Sequence, residues 1–385
     1  MILDLSTINF VGGGGESSAP AGKVETVEVN IDMNGVENPT LNEGFSAFGE
    51  VTVNSDNVEN SSALLFTKIG YSEELNTELN AKYNADIAYS KELLDKWNNG
   101  EISYFNYDTK LVYCPKIDTS NAISMNYMFS NCVKLQFIPL LDTSKVTEMN
   151  YMFNKCSSLT TIPLLNTSNV TNMTYMFSDC SSLTTIPQLD TSNVTEMGDM
   201  FSNCNKLKTI PAINTENVTY MGYMFSGCSS LTTIPLLNTS NVTNMTYMFS
   251  DCNKLKTIPA INTENVTNMS GMFGSCKSLI SLPLFNVPNV TNIDRFFGYG
   301  GFINSLTDLG GFKDLKINWN DGLGLNYLPN LTYQSVMNVF NNLYDFRANG
   351  DDTTTRTIKL NSNSYNLLTA DDIALANNKG WNITK

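Results

Sequence analysis

Cysteine is the residue type whose spacing in this chain most invites a chemical interpretation. Thiolates bind zinc when pairs of them are separated by only a few residues, whereas here the interval is 24 residues. Neighbouring thiols could instead form disulfides, or lie in a core as small hydrophobic side chains. We expect reduced, buried thiols. Seven of the eight cysteines share the interval: Cys132, Cys156, Cys180, Cys204, Cys228, Cys252 and Cys276.

Other groups that could do chemistry are scarce. The chain has no histidine, which removes His-based triads, His general bases and His metal ligands. The glycine run at residues 12–15 lacks the Lys-Ser/Thr of a phosphate-binding loop, and the acidic loop at 349–353 lacks the ligand pattern of an EF-hand. A glycosidase built on two carboxylates is the reaction class that the sequence leaves open. We predict no enzyme activity, no catalytic residue, no metal site and no cofactor.

Tyrosine recurs with the same period and is our candidate for binding. Each tyrosine follows a core methionine by two residues, about 200° around a helix of about 3.6 residues per turn, so it should point outward. Tyrosine concentrates energy at contact surfaces, which favours a strip that binds a glycan or a protein. The alternative is that the rings only cover one another and stabilise the stack. The candidate residues are Tyr127, Tyr151, Tyr175, Tyr223 and Tyr247, and Asp199 and Gly271 interrupt them.

Threonines form a second column, which we expect to be a solvated strand face. Lys208 and Lys256 interrupt it. Its members are Thr160, Thr161, Thr184, Thr185, Thr232 and Thr233.

The elements that position these residues repeat every 24 residues, and a period of this size predicts a solenoid. In one unit, Met149, Met152, Phe153 and Cys156 fall at i, i+3, i+4 and i+7, which predicts a short helix. Residues 159–163 then read Leu-Thr-Thr-Ile-Pro, which predicts a short strand. One unit cannot bury its apolar residues alone, but stacked units line them into continuous columns.

The motif C-x-x-L-x-x-I-P, preceded by N-V-T-x-M-x-x-M-F, resembles the BspA-like leucine-rich repeats. More closely, it is similar to the repeat domain of unknown function in surface proteins of mycoplasmas and gut bacteria. The resemblance covers residues 111–306. It implies a right-handed leucine-rich solenoid used for adhesion, without enzyme activity.

We therefore predict an α/β repeat protein with a leucine-rich-repeat-like solenoid of about eight coils. The solenoid spans residues 115–306, between a helical N-terminal cap with a half-coil at 59–114 and an α+β C-terminal cap at 307–385. Within the caps, Asn84 is a predicted helix N-cap and Thr369 a predicted N-cap of the last helix. A helical stripe is predicted from Val336, Val339, Phe340 and Leu343. A small β module at 24–58 and an N-terminal docking peptide with a glycine-rich linker at 1–23 precede them.

The charge and the hydropathy of the chain argue against two kinds of partner, nucleic acid and membranes. The formal net charge is −14 and no Lys/Arg cluster stands out, which argues against nucleic acid and anionic membranes. No apolar run is long enough to cross a bilayer, so we predict no membrane insertion.

The N-terminal residues suggest where the protein acts. Residues 24–31 and 45–53 alternate like strands and resemble a small β module in tail and fibre proteins of phages that infect gut bacteria. We expect no signal peptide and no lipobox, as in a virion protein assembled in the host cytoplasm, where thiols stay reduced. The alternative is a bacterial cell-surface adhesin whose export signal is missing.

The virion hypothesis assigns partners to the two ends of the chain. The N-terminal peptide would dock on virion structural proteins, through Ile2, Leu3, Leu5 and Phe10. The solenoid would then present a surface to a host glycan or protein, as in a tail fibre, a head fibre or a decoration subunit. Formation of a homo-oligomer is compatible with these roles.

Overall fold

The computed structural model describes residues 73–298, 301–317, 323–350 and 356–385, with side chains from residue 85 onward. The chain divides into two compact units, Met1–Glu92 and Leu93–Lys385. The predicted β module and the docking residues Ile2, Leu3, Leu5 and Phe10 lie outside the described residues. The domain boundaries drawn from the sequence stay predictions.

The first described element is helix α1, Glu73–Asn98. It ends as predicted from the Asn-Asn-Gly sequence, because Gly100 adopts a positive φ of 72° and Glu101 N–H bonds Lys96 O at 2.8 Å. Asn84 lies inside α1, so its prediction as an N-cap was wrong. None of the helices in the described residues combines the length and the apolar character needed to cross a membrane.

The repeats contain no α-helix between residue 99 and residue 298, so the predicted helix at residues 149–156 is wrong. Consecutive turns replace it, with Met152 N–H bonding Met149 O at 3.2 Å and Cys156 N–H bonding Phe153 O at 3.0 Å. Tyr151 (φ 59°) and Lys155 (φ 61°) adopt the left-handed conformation, which no α-helix tolerates in its interior. The turns bury the same i, i+3, i+4 and i+7 positions as a helix would, and this is why the pattern misled.

Other backbone N–H groups of the turns bond to the next coil instead of within their own. Tyr151 N–H donates to Thr174 O at 3.0 Å, and Phe153 N–H donates to Met176 O at 2.9 Å. Parallel bridges join equivalent residues of successive coils. The bridged positions are Ser124, Glu148, Asn172, Glu196, Tyr220, Asn244, Asn268 and Asn292.

The predicted strand at residues 159–162 is also absent. The segment is extended but meets its neighbour sparsely, through bonds such as Thr184 N–H to Thr160 O at 3.0 Å. Pro163 and its equivalents lack the N–H that would continue a ladder. Among the described residues, short parallel strands begin after the seventh repeat cysteine, where β1 (Ser281–Leu282) and β2 (Phe285–Asn286) pair with β3 (Asp308–Leu309) and β4 (Phe312–Lys313). The repeat part is thus made of turns and bridges rather than of helix and strand.

The core confirms the predicted solenoid of stacked repeats. In one coil Val170, Met173, Phe177, Cys180 and Leu183 are all fully buried. Successive phenylalanine rings stack at 5.5–5.7 Å between centroids along the whole repeat array. The stack starts where Trp97, in the last turn of α1, covers Phe105 at 5.7 Å. The column contains Phe105, Phe129, Phe153, Phe177, Phe201, Phe225, Phe249 and Phe273.

A column of buried threonines, which the sequence analysis missed, also joins the coils. In six of the seven, the hydroxyl donates to a backbone carbonyl of the next coil, as Thr215 Oγ1 does to Asn238 O at 2.8 Å, whereas the Thr143 hydroxyl has no such bond. Burial of a hydroxyl is costly unless it is bonded, so this column fixes the register of neighbouring coils. Its bonded members are Thr119, Thr167, Thr191, Thr215, Thr239 and Thr263.

The C-terminal residues form conventional elements. Strands β5 (Leu323–Leu325), β6 (Arg356–Leu360) and β7 (Trp381–Thr384) make a parallel sheet in that order. Helix α2 (Tyr333–Asn342) buries the predicted Val336, Val339 and Phe340. Helices α3 (Ser362–Tyr365) and α4 (Ala370–Asn378) follow, and Thr369 caps α4 with a reciprocal capping box, as predicted.

Candidate binding surface

The cysteines form a structural column. All eight are free and buried, as predicted. Cys156 Sγ donates to Phe129 O at 3.0 Å, a carbonyl that also accepts the Cys132 N–H at 3.0 Å. Burial raises the pKa of Cys132, Cys228 and Cys276 to about 12, so these thiols stay protonated. No group of three or more His, Cys, Asp or Glu side chains in the described part of the chain could hold a metal ion.

The predicted tyrosines form two stacked groups on the surface. Ring centroids are 4.7 Å apart for Tyr127 and Tyr151, 4.5 Å for Tyr151 and Tyr175, and 5.1 Å for Tyr223 and Tyr247. The paired rings lie within 15° of parallel. Tyr127, at the end of its group, is 44% exposed, and the other four are half-buried. The rings therefore support one another and also present their edges to solvent.

The outward direction of the rings has a different cause from the one expected. The angle between residues around a helix cannot explain why the tyrosines point outward, because the coils contain no helix. Tyr127, Tyr151, Tyr175, Tyr223 and Tyr247 instead have φ between 51° and 61°. In this left-handed conformation the chain turns sharply between the two buried methionines on either side, so the intervening side chain leaves the core.

Asp199 separates the two groups of rings. It has the same left-handed conformation, with φ 55°, and its carboxylate lies close enough to the Tyr175 hydroxyl for each group to shift the pKa of the other. Burial raises the pKa of Asp199, and the Tyr175 hydroxyl only partly offsets that effect. Burial and then the Asp199 charge raise the pKa of Tyr175.

Tyr220 completes the surroundings of Asp199, although the sequence analysis did not single it out. It occupies the bridge position, where neighbouring coils carry Glu196 and Asn244. Its ring lies against Gly198 and Gly222, and a Cβ on either glycine would collide with it. Other coils have Asn150 or Thr174 at the glycine position. The two consecutive glycines in that column were the available sequence signal, since they make room for one large side chain.

A second surface carries the threonine column and an unexpected group of lysines. Lys206, Lys208, Lys254 and Lys256 are exposed at equivalent positions of two coils with one coil between them. Within the described residues, none of the four makes an ion pair. The sequence had shown no basic cluster, because the two pairs are separated by 48 residues. This surface is basic in a protein whose net charge is −14.

The stacked coils, their hydrophobic columns and their exposed side-chain columns define a leucine-rich-repeat-like interaction solenoid. The comparison with protein families agrees. The profile of the family described as "Mycoplasma protein of unknown function, DUF285" matches residues 77–210 and 205–308, more than half of the chain. The chain belongs to this family, which confirms the family resemblance that its repeat motif indicated.

Solved structures of repeat proteins are distantly similar to the chain. A leucine-rich repeat protein of T. pallidum has a TM-score of 0.35 and 22% identity, over 43% of this chain and 76% of that one. The internalin inlF of Listeria monocytogenes has a TM-score of 0.26 and 12% identity, over 67% of this chain and 78% of that one. A TLR13–ssRNA13 complex has a TM-score of 0.23 and 13% identity, over 73% of this chain and 52% of that one. At these TM-scores the similarity carries no argument about function. No curated protein matches the chain.

Proposed function

We propose that this chain is a non-enzymatic binding protein whose solenoid presents the tyrosine column to a glycan or a protein on a host surface. The supporting observation is the stacking of Tyr127, Tyr151 and Tyr175 at 4.5–4.7 Å above a fully buried core. Stacked rings lose little conformational freedom on binding, because their neighbours already hold them. Tyrosine is also enriched among the residues that dominate interface energy.

We further propose that the chain is a virion protein assembled in the host cytoplasm, as a tail fibre, a head fibre or a decoration subunit. Residues 1–23 would attach it to other virion proteins through Ile2, Leu3, Leu5 and Phe10. The support is the resemblance of residues 24–53 to a module of phage tail and fibre proteins. A specific observation favours a second candidate, a bacterial cell-surface adhesin: the matching family is described as a Mycoplasma protein.

Cell binding tests the role of the tyrosine column. The full chain, labelled with a fluorophore, is added to a panel of gut-bacterial cells, and cells treated with protease or periodate separate a protein ligand from a glycan. Tyr151→Ser removes the middle ring of three and should weaken binding about thirtyfold, as expected for one interface hot spot of about 2 kcal/mol. Thr160→Ser, on the threonine column, is the matched control and should bind normally. Equal binding by all three proteins would exclude the tyrosine column as the binding surface.

Particle labelling tests the location. Antibodies against the chain, coupled to gold, should decorate purified phage particles if the chain is a virion protein. Decoration of bacterial cells that carry no phage would instead support the adhesin.

A further inference from the structure

The interruption of the tyrosine column has a defined geometry. Rings on adjacent coils are 4.5–5.1 Å apart, so Tyr175 and Tyr223, which are two coils apart, face each other across about 10 Å at about 4.8 Å per coil. Asp199 is the residue between them. In the described part of the chain, no aromatic ring contacts the facing sides of Tyr175 and Tyr223.

Asp199 itself lacks a cation. Its carboxylate is half-buried and lies near the Tyr175 hydroxyl, but it makes no ion pair with any described lysine or arginine. Burial raises the pKa of both Tyr220 and Tyr223, and the Asp199 charge adds to it, as the next cause for Tyr220 and after Tyr247 for Tyr223. A half-buried negative charge thus lies among three tyrosines, and a partly desolvated charge of this kind is stabilised by an opposite charge.

Tyr220 is the third tyrosine beside the Asp199 carboxylate. Its ring lies over Gly198 and Gly222, the residues that precede Asp199 and Tyr223. No other described coil has a tyrosine at the bridge position. The aspartate, the added tyrosine and the two glycines therefore occur together at one place in an otherwise regular stack. We call Tyr175, Asp199, Tyr220 and Tyr223 the Asp199 site.

We propose that the Asp199 site binds an organic ammonium group, held between the faces of Tyr175 and Tyr223 with the Asp199 carboxylate as its counter-charge. A cation that rests on the Asp199 carboxylate, in the layer between the outer parts of the two rings, would lie about 5 Å from each ring, inside the roughly 6 Å range of cation–π attraction. Aromatic rings around a carboxylate suit ammonium groups that carry alkyl substituents, because the rings contact the alkyl groups while the carboxylate meets the charge. A tetrahedral alkylammonium also fills a gap of about 10 Å better than a flat guanidinium, whose optimal contacts with carbon are at only about 3.5–4 Å. The proposal deepens the proposed function, since the site is part of the tyrosine column.

Choline and its neutral carbon isostere, 3,3-dimethylbutan-1-ol, test the proposal on the full chain. Tyrosine fluorescence and calorimetry at low ionic strength follow each titration. Choline should saturate one site, and the isostere should bind at least about tenfold more weakly, because only choline pairs with the carboxylate. Glucosamine and Nα-acetyl-lysine amide, run in parallel, separate an amino sugar from a lysine side chain as the natural source of the ammonium group.

Two variants of Asp199 and one control make the result specific. Asp199→Asn keeps the shape and removes the charge, and it should weaken choline binding about tenfold or more. Asp199→Tyr should close the gap and abolish binding, and five other coils already carry tyrosine there at the same left-handed φ, so the backbone accepts it. Asp190→Asn removes an exposed carboxylate from the preceding turn and should bind choline like the unchanged protein.

Several outcomes would overturn the proposal. These are equal binding of choline and its isostere, unchanged binding in Asp199→Asn, saturable binding that survives in Asp199→Tyr, and absence of choline binding in the folded, unchanged protein. Circular dichroism melting of each variant shows whether it is folded. The titration uses no cells, so choline binding without cell binding would contradict only the proposed function. Cell binding that survives in Asp199→Tyr would support the proposed function while separating it from this site.

Discussion

The repeat coils and the C-terminal residues follow different folding rules within one compact unit. In the C-terminal part, α2 and α4 satisfy their hydrogen bonds internally and follow Thr332 and Thr369, whose side chains cap them. In the coils, many N–H groups of the turns bond to the neighbouring coil, as Tyr151 does to Thr174. Local sequence patterns therefore predicted elements correctly where bonds are local and incorrectly where bonds join residues 24 positions apart.

The coils and the C-terminal part also differ in which residues they bury. The coils bury a repeated set of apolar residues in columns, whereas the C-terminal part buries individual and unlike groups. Arg356 is an example, because it is 2% exposed, donates from Nε to Ile317 O at 3.0 Å and places its guanidinium over the Phe346 ring. Every coil depends on its neighbours for the same contact, so we expect damage to spread further in the repeats.

The largest expected effect concerns the cysteines, all of which belong to unit Leu93–Lys385 before the C-terminal elements. Their thiols should react about a thousandfold more slowly in folded protein than in denaturant, since burial raises the pKa to about 12 for Cys132 and Cys228. Counting with a thiol reagent at pH 8 should find almost none in folded protein and all eight after denaturation. Fewer than eight would indicate disulfides.

The same pKa shifts set a pH dependence. The thiol pKa values are raised in the folded state. The contribution of the thiols to stability is therefore complete at pH values below the unfolded-state pKa of about 8.5. Above it the unfolded chain loses protons that the folded chain keeps, and stability should fall as pH rises toward about 12. Urea midpoints at pH 7, 9 and 10 measure this, and a rising midpoint would contradict it.

Removal of a core ring should have the next largest effect. Phe201→Ala, in the middle of the phenylalanine stack, should lower the free energy of unfolding by about 3–5 kcal/mol. Thr185→Ala, on the exposed threonine column, should change it by no more than about 0.5 kcal/mol. Urea unfolding measures both, and equal shifts would mean that inside and outside have been assigned wrongly.

A hydrogen bond between coils should matter more than one within a helix cap. Thr215→Val removes the buried bond to Asn238 O and should cost about 1–3 kcal/mol, because the carbonyl loses a partner in the core. Thr369→Ala removes the exposed capping box of α4 and should cost about 1 kcal/mol. Thermal melts of the two variants rank their stability costs. A larger cost for Thr369→Ala than for Thr215→Val would contradict the idea that bonds between coils matter more than a helix cap.

The smallest effect on stability is expected from deletion of residues 1–23. We predict an unchanged thermal transition for the isolated protein, because on our proposal these residues dock on virion proteins and take no part in either region. On the same proposal, incorporation into a phage particle should be lost. A truncated chain that still incorporates would place attachment elsewhere, and an early melt would make the segment part of the fold.

The sequence by itself determined the repeat period, the apolar columns and the C-terminal helices α2 and α4, but not the short α3. Identical spacing of Met, Phe, Cys and Leu defines which residues stack, whatever the backbone between them does. Capping residues and stripes such as Val336, Val339 and Phe340 act within a few residues, so they could be recognised locally. The tyrosine column was recognisable for the same reason.

Only the tertiary structure decided how the coils turn and what surrounds Asp199. The alternation of right-handed and left-handed backbone at Tyr151 and Lys155 is stabilised by bonds to the next coil, which no local pattern contains. Tyr175, Asp199 and Tyr220 are far apart in sequence, and they meet because successive coils are in register. Lys206 and Lys254 share a surface for the same physical reason: stacking converts a distance along the chain into a short distance in space.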